Sequence, residues 1–97
     1  MHARVNATRW YPERMEEGLK LTEDTIIPAY KEVPGFRGYF LLTQPDGDKA
    51  IAITLWETEA DMEASAPVAQ AMIPQLREII QERPVTETYE VTVRVDQ

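Results

Sequence analysis

Ninety-seven residues carry 17 acidic against 10 basic side chains, a net charge of −7 that repels phosphate backbones and anionic membrane surfaces. There is no cysteine, and the one histidine is His2 beside the N-terminus, so disulfides, thiolate chemistry, a Ser-His-Asp relay and a histidine-ligated zinc centre are not expected. The length suits one domain, residues 1–97, with a modest core that a partner subunit would reinforce.

No apolar run approaches the roughly 20 residues that cross a bilayer. The opening MHARVNATRW lacks the apolar stretch of a signal peptide, so a soluble cytoplasmic protein is expected. Residues 3–10 alternate Ala3, Val5 and Ala7 against Arg4, Asn6, Thr8 and Trp10, the period of a strand. Pro12 then suits the first turn of a helix, and Glu13, Glu16 and Glu17 favour its N-terminal end. Met15, Leu19, Ile26, Tyr30 and Val33 mark one apolar face of that helix. Pro28 predicts a kink, because it removes a donor for the carbonyl of Asp24.

Pro34-Gly35 closes the helix, glycine supplying the positive φ. Two strands follow, Phe36–Thr43 and Lys49–Trp56, joined at the turn signal Pro45-Asp46-Gly47-Asp48. Thr58 is placed to cap a short helix, with Asp61 three residues on. Pro67 starts another, whose stripe is Val68, Ala69, Met72, Ile73, Leu76, Ile79 and Ile80; Pro74 bends it and Pro84 ends it. Alternating residues from Val85 to Val95 predict an outgoing strand.

The order βαββαβ, with right-handed crossovers, predicts an α+β, ferredoxin-like antiparallel sheet with helices on one face. Strand three carries Ile51, Ile53 and Leu55 on one side and Ala50, Ala52, Thr54 and Trp56 on the other, and neither side is charged. Helices cover only one side, so the other is expected to meet a second copy of the sheet in a homodimer. The small residues Ala50, Ala52 and Thr54 either floor an apolar pocket beneath the helices or let two sheets approach. Periodicity leaves both open.

The residues Val33-Pro34-Gly35-Phe36, the hairpin after them and Leu55-Trp56-Glu57-Thr58-Glu59-Ala60 resemble the antibiotic biosynthesis monooxygenase family of the dimeric α/β-barrel superfamily. The resemblance implies a homodimer of ferredoxin-like subunits, each with a ligand cavity between sheet and helices. It also implies a small apolar or aromatic ligand, with cofactor-free oxygenases, haem-degrading oxygenases and quinol oxygenases among its members. In the branch that oxidises polyketide phenols, an asparagine lies four residues before the strand-three tryptophan and a tyrosine six after it. Here those positions hold Ala52 and Met62. Trp56 matches, and Arg77 matches a cavity arginine if one residue is inserted. The haem-degrading branch needs a strand-one asparagine, which Asn6 matches, and a histidine on the last helix, where residues 67–83 have none. No cofactor and no metal is expected on this reading.

The pocket candidates are therefore Trp56, Asn6, Arg77, Tyr30 and Met62. Trp56 either stacks on a planar ligand or closes the end of the core. Asn6 either orients a ligand oxygen or bonds the backbone. Arg77 either neutralises a phenolate or carboxylate, or pairs at the surface. Tyr30 is a hydroxyl donor or a core-edge aromatic, and Met62 fills a core gap or faces a ligand. A charge-stabilising oxygenase site and a non-catalytic binding module are both consistent with this set.

Overall fold

The computed structural model describes residues 1–96. Its elements are β1 (His2–Arg9), a 3-10 turn (Pro12–Arg14), α1 (Met15–Leu21), a π turn (Thr22–Ile26), α2 (Ile27–Lys31), β2 (Phe36–Thr43), β3 (Lys49–Trp56), α3 (Glu59–Ala64), α4 (Ala66–Leu76) and β4 (Val85–Glu90). The strands form one antiparallel sheet in the order β2-β3-β1-β4, with the helices on one side. Among the described residues, no helix is long and apolar enough to cross a membrane.

Local chemistry places several junctions as expected. Gly35 takes φ 85°, which ends α2, and the Glu57 amide donates to its carbonyl at 2.8 Å. The Thr58 hydroxyl accepts from the Asp61 amide at 3.1 Å and opens α3. A register shift between Phe36 and Gly38 adds one residue to β2, so Phe36 and Tyr39, three apart, both face the helices.

One helical face and two boundaries differ from the sequence pattern. The helical face beneath the sheet is Gly18, Thr22, Ile26 and Tyr30, in steps of four, while Leu19 is 39% exposed. The π turn just before Pro28 accounts for this, because it changes the helical phase where proline offers no N–H. Helix α4 stops at Leu76 rather than near Pro84. The backbone after it is recruited by the end of β1: Tyr11 donates to the Ile79 carbonyl at 2.8 Å, and Gln81 donates to that of Arg9 at 2.7 Å. Strand β4 stops at Glu90, which pairs with His2, rather than at Val95, and the Val91 amide still donates to the Met1 carbonyl at 2.8 Å.

Two aromatic cores stand at opposite ends of the helix-covered face. At one end Trp56, with no exposed surface, packs edge-on against Tyr30 (5.9 Å) and Phe36 (5.5 Å), with Ile26, Met62 and Met72 around it. At the other, Trp10 packs with Ala50 and Ile79. Gly18 is what lets α1 lie on the Trp10 ring, since a Cβ there would collide with the indole. Gly18→Ala should therefore destabilise the fold by about 1–3 kcal/mol of overpacking, exceeding the roughly 1 kcal/mol of helix propensity that alanine adds. In thermal unfolding this reads as a lower midpoint; an unchanged or raised one would mean that Trp10 is not seated on Gly18.

Candidate functional site

Strand register turns the helix-facing side of the sheet into a ladder of rows. One row is Tyr39–Thr54–Arg4–Thr88, the next Leu41–Ala52–Asn6–Thr86, and the next Thr43–Ala50–Thr8. The Trp56 core lies beyond the first row and Trp10 beyond the last. Between them Ala52 and Ala50 supply almost no bulk. The result is a cavity of about 330 Å³ under the helices, closed above by Ile26, Ala69, Met72 and Leu76. It opens toward exposed Gln70, Ile73 and Arg83. The side chains of Ala50, Ala52 and Thr54 thus lie beneath the helices, and Ile51, Ile53 and Leu55 lie on the opposite face.

Strand β1 reverses the usual polarity. Its polar residues Arg4, Asn6 and Thr8 face the helices, and its apolar residues Ala3, Val5 and Ala7 face away. Arg4 is 8% exposed. Its guanidinium donates to the Ser65 hydroxyl at 2.8 Å and to the Met62 carbonyl at 2.7 Å, both at the α3–α4 junction. Ser65, wholly buried, donates to the same carbonyl at 2.5 Å. Among the described residues Arg4 has no carboxylate partner. The guanidinium also lies against the Tyr30 hydroxyl, and of its five donors some remain for a guest.

The neighbours of Arg4 are also donors. Tyr30 and Tyr39 lie 6.1 Å apart, ring to ring. Burial pushes the Tyr30 hydroxyl up, against the opposing pull of the Arg4 charge. Burial, together with Tyr30, pushes Tyr39 up to about 12. Both therefore keep their protons at neutral pH. Thr54 is 2% exposed and accepts from Trp56 Nε1 at 2.9 Å, which leaves its own proton to donate. The Thr86 hydroxyl donates to Asn6 Oδ1 at 2.6 Å, which turns the Asn6 amide donors to a different partner. Among the described residues, the lining carries Arg4 and Arg83 and no carboxylate. A strongly acidic protein thus holds a donor-rich, cationic interior suited to an oxyanion on an apolar body.

Of the five residues proposed from sequence, Asn6 and Tyr30 line this cavity. Trp56 does not: it lies one row beyond Thr54, its ring enclosed by Tyr30 and Phe36, and it contributes by holding Thr54. Met62 sits in the Trp56 core, and only its carbonyl serves the site, through Arg4. Arg77 is exposed at the C-terminal end of α4, outside the cavity, because the helix ends one residue before it. The residue missed was Arg4. Its signal was parity with Trp10, a bulky side chain with every reason to be buried, which places Arg4, Asn6 and Thr8 inside as well.

No family model and no curated protein matches this sequence. Solved structures do match in shape. A mutant of MhuD, with two manganese protoporphyrin IX molecules bound per active site, is 22% identical over 100% of both chains, with a TM-score of 0.80. The monooxygenase ActVA-Orf6 of Streptomyces coelicolor, in complex with Nanaomycin D, is 16% identical over 99% of this chain and 91% of its own, at 0.79. An antibiotic biosynthesis monooxygenase is 12% identical over 96% and 100%, at 0.75. The fold is therefore that of the antibiotic biosynthesis monooxygenases, as the segment from Val33 to Ala60 suggested. The cavity does not fit a metalloporphyrin of the MhuD kind. Among the described residues it is lined by no histidine or cysteine, and Met72 Sδ accepts from Gln75 at 3.9 Å.

Proposed function

We propose that this chain, on the scaffold of the antibiotic biosynthesis monooxygenase structures, binds a small aromatic molecule with an acidic hydroxyl and holds it as the anion against Arg4. The observation that carries this reading is a buried guanidinium without a carboxylate, in a cavity lined among the described residues by donors and apolar groups and by no acid. A buried charge is costly unless paired. A phenolate supplies the missing charge, and its ring supplies apolar surface for Ala50, Ala52, Ile26 and Met72.

The chemistry that follows is direct oxygenation of the bound anion. Arg4, with Tyr30, Tyr39 and Thr54 as hydroxyl donors, favours the deprotonated form, which is electron-rich at the ring carbon para to the oxygen. That carbon takes one atom of dioxygen, while its C–H bond and the O–O bond break. The second oxygen atom leaves as water with the ring proton and one proton taken back from solvent, and the product is a quinone. The cavity walls keep bulk water from the intermediate. No carboxylate or histidine lines the cavity among the described residues, so the proton of the incoming phenol passes to solvent as it binds.

Oxygen uptake on a panel of fused-ring phenols with a free C–H para to the hydroxyl tests this. One quinone formed per dioxygen consumed, with the rate lost in Arg4→Met, is the expected result. Saturable binding without uptake would instead assign the chain to the non-catalytic ligand-binding reading on the same scaffold.

The same reading includes a homodimer. The face away from the helices carries Val5, Ile51, Ile53 and Leu55, with Phe40 52% and Tyr89 50% exposed. Beyond the last paired residue the alternation Val91, Val93, Val95 continues, with Val93 79% and Val95 85% exposed. A second copy of the sheet covers such a face economically. Sedimentation at micromolar concentration should return twice the chain mass, and a stable monomer would contradict the pairing.

A further inference from the structure

The cavity has a second oxygen-recognising station, and we infer that the ligand is a hydroxy acid whose carboxylate sits there, at Arg83 and Asn6, while its acidic hydroxyl meets Arg4. This rests on the reading of the cavity as a ligand site. Arg83 lines the open end of the cavity and, among the described residues, makes no ion pair and no side-chain hydrogen bond. Its neighbour Glu82 is already engaged, 3.6 Å from Arg9, and Asp48 is held by Arg9 at 2.6 Å and by Gln81 at 3.0 Å. Glu82 and Asp48 thus both face Arg9.

The position of Arg83 follows from two contacts. The Thr8 hydroxyl donates to the Glu82 carbonyl at 2.7 Å, and Val85 pairs with Ala7, so residues 82–84 lie beside Thr8 and Arg9. Arg4 lies four residues away along the same strand, a backbone separation of about 13 Å. An elongated, fused two-ring body with an acidic group at each end suits arginines at the two ends of that stretch of β1. Asn6 lies between them, with Oδ1 taken by Thr86, so its amide has donors to add for an acceptor oxygen. Gln70, from α4, faces the same mouth. Every polar side chain at this station can donate, and none is an acid.

The test compares 2-naphthol with 6-hydroxy-2-naphthoate, whose hydroxyl and carboxylate lie at opposite ends of the ring system, by quenching of ligand fluorescence. Wild type should bind the hydroxy acid at least about tenfold more tightly, by an advantage that shrinks as salt is raised. Arg83→Gln, a surface change that leaves the core intact, should remove that advantage and leave the affinity for 2-naphthol unaltered. Equal wild-type affinities, or an advantage that survives Arg83→Gln, would overturn the second station while the cavity reading stands. Binding of neither compound overturns both.

Discussion

Arg4→Met is expected to weaken binding of a phenolate-forming ligand by about 30-fold or more, because truncating one member of a buried, hydrogen-bonded charge pair costs about 2 kcal/mol at the least. Methionine keeps much of the length and apolar volume, so the cavity wall stays in place. The effect on the free protein should be far smaller. The variant loses two charge-assisted hydrogen bonds, to Ser65 and Met62. It also no longer buries an unpaired guanidinium, and the Met62 carbonyl keeps the Ser65 hydroxyl at 2.5 Å. Calorimetric titration, alongside a thermal scan, separates the two quantities. Equal ligand affinity in both proteins would remove Arg4 from recognition, and collapse of the fold would recast it as a structural tie between β1 and the α3–α4 junction.

The second large effect is expected from Ala52→Leu. Ala52 lies at the centre of the small-residue floor, opposite Asn6 on β1 and Leu41 on β2. In a filled core, three added carbons would cost about 1–3 kcal/mol through overpacking. In a cavity of about 330 Å³ they gain burial instead, at about 0.8 kcal/mol per methylene, partly offset by lost rotamer freedom. Ala52→Leu should therefore leave the melting midpoint unchanged or higher while reducing binding about 100-fold or more. Loss of binding with retained stability is the signature of a filled pocket. A melting midpoint that drops by several degrees would mean that the small face is already packed.

Much of this architecture is legible in the residues, for local reasons. A positive φ at Gly35, the Thr58 cap and the Pro45–Asp48 turn are short-range events that neighbouring residues determine, and the element order follows from them. The differences arise where tertiary contacts compete with local pattern. Helix α4 yields at Leu76 because the end of β1 takes the next backbone groups. The apolar face of the first helix changes phase at a π turn, which periodicity at 3.6 residues cannot anticipate.

The site was half legible for a related reason. Asn6, Tyr30 and the small face of β3 stand out as residues, but the partnership of Arg4 with Thr54 and Tyr39 exists only through strand register. Alternation along β1 looked like an ordinary split between polar and apolar sides. In the folded chain the polar side is the inner one, and local preference gives way to the needs of a cavity. Trp56 stands out in the sequence as an aromatic that matches the family pattern, yet Thr54, two residues earlier and one row inward, is what reaches the cavity.

The most direct measurement is an amide and methyl nuclear magnetic resonance titration of the unmodified protein with 2-naphthol. Saturable shifts are expected at Asn6, Thr8, Ala50, Ala52 and Thr54, the cavity floor, with little change at Val5, Ile51, Ile53 and Leu55 on the opposite face. Shifts confined to that outer face, or none up to millimolar ligand, would contradict the assignment of the cavity as the functional site.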